Sequence, residues 1–164
     1  MKSVSDFSFH PVYGAVSVDV KLEVIKIWTQ FGGLDQAEAD RRVNELILFV
    51  RNKLGEIVGI STASKVKVKQ LNDNWFYMFR YFIVPSFRFA GLDFKLVHEA
   101  VGHLETIFAK EPERLVGIRA IVQNKSLKEL EASRRTVPRN VPFVFAGYFS
   151  NHPVRVYYFK DARI

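Results

Sequence analysis

The fold turns on the stretch Ile83-Val84-Pro85-Ser86-Phe87-Arg88-Phe89-Ala90-Gly91. An aromatic and β-branched run, Trp75 to Val84, leads into it and reads as a strand. After it, Leu92, Leu96/Val97, Ala100/Val101, Leu104 and Ile107/Phe108 recur every three to four positions, which predicts a helix from about Leu92 to Ala109, closed by Glu111-Pro112. A strand, a turn holding an arginine and a glycine, and a helix N-terminus together make an anion site. The first N–H groups and the dipole of the helix point into the turn, Arg88 adds positive charge, and Gly91 lets a ligand approach the backbone.

Outward from this motif, Phe7 to Tyr13 reads as a first strand. Asp19 then precedes Leu22, Ile25 and Trp28, a helical stripe stopped by Gly32-Gly33. Asp35-x-x-Glu38 is a capping arrangement for a second helix to about Asn44. Leu46 to Arg51 is a buried-type strand, Asn52 to Gly55 a turn, and Glu56 to Val68 the hairpin partner. Beyond the long helix, Leu115 to Val122 fits a strand buried on both faces, and Asn124 to Ser133 a short helix. Pro142 to Phe149 and Val154 to Phe159 are two last strands joined across Asn151-His152-Pro153. The order β-α-α-β-β-β-α-β-α-β-β predicts an α/β (α+β) domain of about seven strands and four helices. No linker, repeat or low-complexity tract interrupts it, so residues 1–164 are expected to form one domain.

Composition narrows the function. An apolar fraction of 48% with 25% charged residues suits a soluble globular chain. Its apolar runs are too short to span a bilayer, so no membrane partner is expected. Met1 to Asp6 lacks the apolar core of a secretory signal, and cysteine is absent, which excludes disulfides, thiolate metal sites and a cysteine nucleophile. A cytoplasmic location is the expectation. The net charge of +7 favours anionic partners, or serves solubility alone. In Lys65-x-Lys67-x-Lys69 the lysines share one strand face, either to track phosphates or as the solvated face of an edge strand.

The element order, with the motif between the fourth strand and the third helix, resembles the GNAT family of acyl-CoA-dependent N-acetyltransferases. The family pattern V-x-P-x-x-R-x-x-G-x-G/A is matched at Ile83, Pro85, Arg88 and Gly91. The hairpin Phe49-Val50-Arg51-Asn52-x-x-Gly55-Glu56-Ile57-Val58-Gly59 and the pair Val122-x-Asn124 also resemble family segments. The resemblance covers nearly the whole chain. It implies the acyl-CoA N-acyltransferase fold, a mixed, mostly antiparallel sheet splayed between the fourth and fifth strands, with acetyl-CoA or another acyl-CoA as co-substrate and no metal. It assigns the backbone of Arg88, Phe89, Ala90, Gly91, Leu92 and Asp93 to the pyrophosphate, that of Phe82, Ile83 and Val84 to pantetheine, and Asn124 to the thioester end. The implied activity is transfer of an acetyl or other acyl group to a primary amine by direct attack. The amine acceptor is a small molecule, a protein or an aminoacyl-tRNA.

Two positions depart from the family pattern. Asp93 stands where Gly or Ala is preferred and sets a like charge beside a pyrophosphate. Glu131, seven residues after Asn124, stands where many relatives carry a tyrosine that protonates the departing thiolate. Candidate catalytic groups are Tyr77 and Tyr81, on one face of the fourth strand, and Ser126, with Glu56 as a further proton relay. An ordinary tyrosine, with a pKa near 10, is a poor base at neutral pH. Two alternative readings stand beside the enzyme: a catalytically silent fold kept for binding or scaffolding, and a basic nucleic-acid-binding module.

His98 and His103 are five apart, about 140° around a helix, so they do not form the four-apart zinc pair of H-E-x-x-H. His10 and His152, each beside a proline, read as loop residues. Phe143, Phe145, Tyr148, Phe149, Tyr157, Tyr158 and Phe159 predict that the last two strands bury both faces, with a homodimer contact there.

Overall fold

The structure, a computed structural model, describes residues 3–89, 91–110, 115–121 and 143–164. Seven strands form one sheet in the order β1-β2-β3-β4-β5-β7-β6. They are β1 (Phe7–Pro11), β2 (Leu46–Asn52), β3 (Ile57–Val68), β4 (Asn74–Ile83), β5 (Leu115–Ile121), β6 (Val144–Phe149) and β7 (His152–Tyr158). β1/β2, β2/β3, β5/β7 and β6/β7 pair antiparallel, while β4/β5 is parallel. The helices are α1 (Val18–Ile27), α2 (Gln36–Arg42) and α3 (Leu92–Lys110), the last being the crossover that a parallel β4/β5 pair requires. The expected fourth helix, Asn124 to Ser133, lies outside the described residues. This is the mixed, mostly antiparallel architecture expected from the sequence.

The chain gathers into two units, Met1–Ala63 with Tyr81–His103, and Ser64–Arg80 with Leu104–Ile164. Their boundaries fall inside β3, β4 and α3, where the sequence carries no linker signal.

In the first unit, Ser17 caps α1 by accepting from the Val20 N–H, and Asp35 caps α2 by accepting from the Glu38 N–H at 2.8 Å. The Glu38 carboxylate turns forward to Arg41 and Arg42, and these bonds hold its pKa down at about 2. α1 runs into a π-turn, Trp28–Gly32, ended by Gly33 in the left-handed region at φ 69°. Its buried side is Val24, Ile27 and Trp28, whereas Leu22 is 61% exposed. The expected stripe is therefore rotated, because the buried face is the one that packs on α2 and the first strands of the sheet, and Leu22 lies off it. These residues pack with Ala39, Val43, Leu46, Phe49, Ile57, Ile60 and Val84. Gly59 matters for the next layer: a Cβ there would stand 3.1 Å from Leu96 of α3, so the glycine admits the helix.

In the second unit, Val68, Phe76, Val116 and Val156 form one cluster. Tyr77, Phe108, Tyr157 and Phe159 form an aromatic group, with Phe108 stacked on Phe159 at 4.8 Å and Tyr77 edge-on to it at 6.2 Å. The Tyr157 hydroxyl donates to Glu105 of α3 at 2.6 Å, and desolvation followed by this bond pushes its pKa up to about 12. Only part of the C-terminal expectation holds. β7 buries Pro153, Val154 and Val156 but leaves Tyr158 37% exposed, and β6 is the last strand of the sheet, with Phe145, Tyr148 and Phe149 54%, 72% and 54% exposed. A strand with one neighbour has one fewer surface against which to bury its rings.

Histidine placement also differs from expectation. His10 lies within β1, its ring stacked 4.8 Å from Phe49, and His152 opens β7 opposite Phe149. Strand pairing overrides the local signal of a flanking proline in both. Lys65 and Lys67 are exposed residues of β3 beyond Thr62, the partner of the first β2 residue, Leu46. β3 is interior in the sheet order, so its lysines mark an overhang past β2 rather than an edge strand.

Candidate functional site

The β4-to-α3 connection of the first unit is built from its own backbone. β4 ends at Ile83, and the Val84 N–H donates to Val58 O at 2.9 Å. Pro85–Phe87 makes one 3-10 turn, closed by Phe87 N–H to Val84 O at 2.8 Å and Arg88 N–H to Pro85 O at 3.2 Å. Phe87 and Phe89 both rest on Phe7, at 6.2 and 5.7 Å, so β1 props the turn from below. Gly91 has φ 110°, a region that L side chains rarely enter, and its carbonyl accepts the first α3 bond from Lys95 at 3.0 Å. The Leu92 N–H is taken by Phe89 O at 3.3 Å.

Of the backbone donors expected to face an anion, Arg88 and Leu92 are thus committed within the turn. Phe89, Gly91 and Asp93 make no backbone hydrogen bond through N–H among the described residues. Among the described residues they are the turn's donors with no backbone acceptor, at the start of a 19-residue helix whose dipole favours an anion there. Val84, assigned to pantetheine by resemblance, spends its N–H on β3. Ala90 lies outside the described residues.

Arg88 folds back rather than outward. Its Nε donates to Ile83 O at 2.9 Å, and its guanidinium stands 5.5 Å from the centre of the Phe82 ring. It braces the turn and lends its charge to it. Tyr81 lies within the field of both Asp93 and Arg88. Desolvation and then the Asp93 carboxylate push its pKa up to about 12, with Arg88 opposing. The residue is 39% exposed overall, but ionisation is governed by the surroundings of the hydroxyl, so the upward direction stands. Tyr81, Arg88 and Asp93 therefore form one electrostatic group.

Asp93 sits in the first turn of α3, where a carboxylate stabilises the helix by about 0.3–1 kcal/mol and opposes any anion at the same place. Asp93→Asn is expected to tighten binding of an acyl-CoA by about two- to tenfold, the range of one partly screened like charge. Calorimetric titration of both proteins checks this, and a weaker variant would overturn the role given to the carboxylate.

The other candidates separate. Tyr77 is 1% exposed in the second unit's aromatic group. Glu56 accepts from Asn52 Nδ2 at 2.8 Å and braces the β2/β3 hairpin. Asn124, Ser126 and Glu131 lie outside the described residues. The β4/β5 register runs from Trp75↔Leu115 to Phe79↔Ala120, within the second unit.

Sequence reasoning missed Arg119. It sits in β5, 9% exposed, with Nη1 3.8 Å from Met78 Sδ and the guanidinium 5.1 Å from the centre of the Phe149 ring. The signal was a lone charge inside a strand expected to be buried on both faces.

The chain matches no protein-family model and no curated protein. Solved structures do match. A GNAT-family acetyltransferase from Listeria monocytogenes superposes with a TM-score of 0.63 at 13% identity, covering 93% of this chain and 95% of that one. The ribosomal-protein-S5-alanine acetyltransferase of Vibrio fischeri gives 0.61 at 12%, covering 99% and 98%. A GNAT-superfamily phosphinothricin acetyltransferase from Sinorhizobium meliloti, in complex with acetyl-CoA, gives 0.64 at 11%, covering 96% and 90%. The chain has the GNAT acyl-CoA N-acyltransferase fold.

Proposed function

We propose that the protein is an N-acyltransferase that takes an acyl group from acyl-CoA and delivers it to a primary amine. One observation carries this reading: the turn from Ile83 to Gly91 leads into α3 with the Phe89, Gly91 and Asp93 N–H groups unspent on backbone acceptors among the described residues, on the fold of acyl-CoA-dependent enzymes. Those groups and Arg88 would hold the pyrophosphate. The acyl-CoA supplies a thioester, whose carbonyl carbon bonds to the amine nitrogen as the C–S bond breaks and the thiolate leaves. The amine proton passes to solvent or a nearby base.

Tyr81, with its pKa raised to about 12, stays protonated at neutral pH and serves as a hydrogen-bond donor rather than a base. The acceptor must therefore reach its neutral form largely by its own ionisation. With an amine resembling a lysine side chain, pKa about 10.4, the rate should climb with pH across the neutral range. The test is release of CoA thiol from acetyl-CoA in the presence of a panel of polyamines, peptides with free N-termini and amino acids, followed against pH. Tyr81→Phe should leave the pH slope unchanged. Loss of that slope would make Tyr81 the base, and absence of thiol release with every amine would contradict the enzyme reading.

Asp93 favours a second reading, a fold kept for binding without turnover. Acetyl-CoA binding without thiol release would support it.

A further inference from the structure

From its surroundings in the second unit, we infer that Arg119 anchors a carboxylate carried by the amine acceptor. As a statement about an acceptor this rests on the acyl-transfer reading; as a statement about an anion site it does not.

Burying a guanidinium costs several kcal/mol unless an anion or good acceptors replace its water. Arg119 is 9% exposed and has neither among the described residues. Its two contacts are soft: a thioether sulfur at 3.8 Å and the face of an aromatic ring. Neither neutralises a charge, and burial pushes its pKa down. Other arginines are served differently. Arg41, Arg42 and Arg51 meet carboxylates, and Arg88 and Arg155 meet backbone carbonyl oxygens. A charge held in such a setting fits a ligand that completes it.

Its surroundings within the second unit leave room for a ligand. Arg119 opposes Met78, one rung before the last β4/β5 pair, Phe79↔Ala120. The ring that covers it, Phe149, is 54% exposed and belongs to the last strand of the sheet, so it is a covering that a ligand can displace or share. His152, paired with Phe149, has a buried ring nitrogen, Nδ1, without a hydrogen-bond partner among the described residues. Two polar groups around one exposed ring thus lack a full set of hydrogen-bond partners among the described residues.

A carboxylate fits better than a phosphate. Its single charge matches one guanidinium, and its two oxygens match the guanidinium fork. A phosphate dianion would leave one charge uncompensated in a setting that punishes it. The acceptor class is then an amine bearing a carboxylate, such as an amino acid or an acidic peptide.

The test compares the full-length wild type, Arg119→Met and Arg119→Lys by thermal midpoint, alone and in titrations with propionate, inorganic phosphate and acetyl-CoA. Propionate is expected to raise the wild-type midpoint saturably. Arg119→Met should bind it roughly 10- to 100-fold more weakly, as when a hydrogen bond to a charged group is lost, with Arg119→Lys between the two. Without ligand, Arg119→Met should melt about 2–4 °C higher, since it removes a buried unpaired charge. Equal propionate responses, no wild-type response, or a lower ligand-free midpoint in Arg119→Met would each overturn the inference. A response to phosphate but not to propionate would overturn the carboxylate assignment. A flat acetyl-CoA titration beside a propionate response would remove the acyl-transfer reading and leave the anion site standing.

Discussion

Gly117→Ala is expected to cost about 3 kcal/mol or more of stability, a large share of the roughly 5–15 kcal/mol that holds an ordinary domain together. The cause lies in one rung of the sheet. Gly117 of β5 faces Tyr158 of β7, and a Cβ there would overlap the Tyr157 carbonyl oxygen and stand 3.0 Å from Tyr158 Cα. These are backbone atoms of a paired strand, so no side-chain rotation relieves the clash. Either the β5/β7 ladder shifts or the rung breaks. Urea denaturation checks this, with Gly102→Ala as the control. A Cβ at Gly102 meets nothing within 4 Å on an exposed part of α3, and alanine there should be neutral or stabilise by about 0.5–1 kcal/mol. An unchanged urea midpoint for Gly117→Ala would contradict the β5/β7 register.

Arg88→Ala is expected to weaken acyl-CoA binding by about 10- to 100-fold while changing stability by no more than about 1 kcal/mol. The two effects part because Arg88 is exposed, yet ties the turn together through Ile83 O and the Phe82 ring. Removing it takes a cation from the anion site and frees the turn that aims the Phe89 and Gly91 N–H groups. Arg88→Lys restores the charge without the planar fork and should fall between them. Acetyl-CoA titration of the three proteins decides: equal affinities would mean that the turn does not hold the pyrophosphate.

Much of this was legible from periodicity and caps. The aromatic and β-branched content of Trp75 to Val84, and the three-to-four spacing of Leu92, Leu96, Ala100 and Leu104, mark β4 and α3 nearly to the residue, because strand propensity and one-sided helix burial are both written locally. Asp35 was readable as a cap for the same local reason. What escaped depends on partners distant in sequence. Leu22 looks like core until α1 packs through Val24, Ile27 and Trp28 instead, and Phe145 and Tyr148 look buried until the sheet order leaves β6 with one neighbour. Arg88 reads as a charge offered to a ligand, and only the folded turn shows it donating to Ile83 O. Arg119 reads as a stray charge until Met78 and Phe149 are seen beside it, one 41 residues earlier in the chain.

Acyl-CoA binding by the turn from Ile83 to Gly91, with the start of α3, is what the proposed function stands on. Calorimetric titration of the full chain with acetyl-CoA tests it most directly. Saturable binding of one acetyl-CoA per chain is expected, tightened by Asp93→Asn and weakened by Arg88→Ala. No binding at millimolar acetyl-CoA, in the wild type and in Asp93→Asn alike, would contradict it.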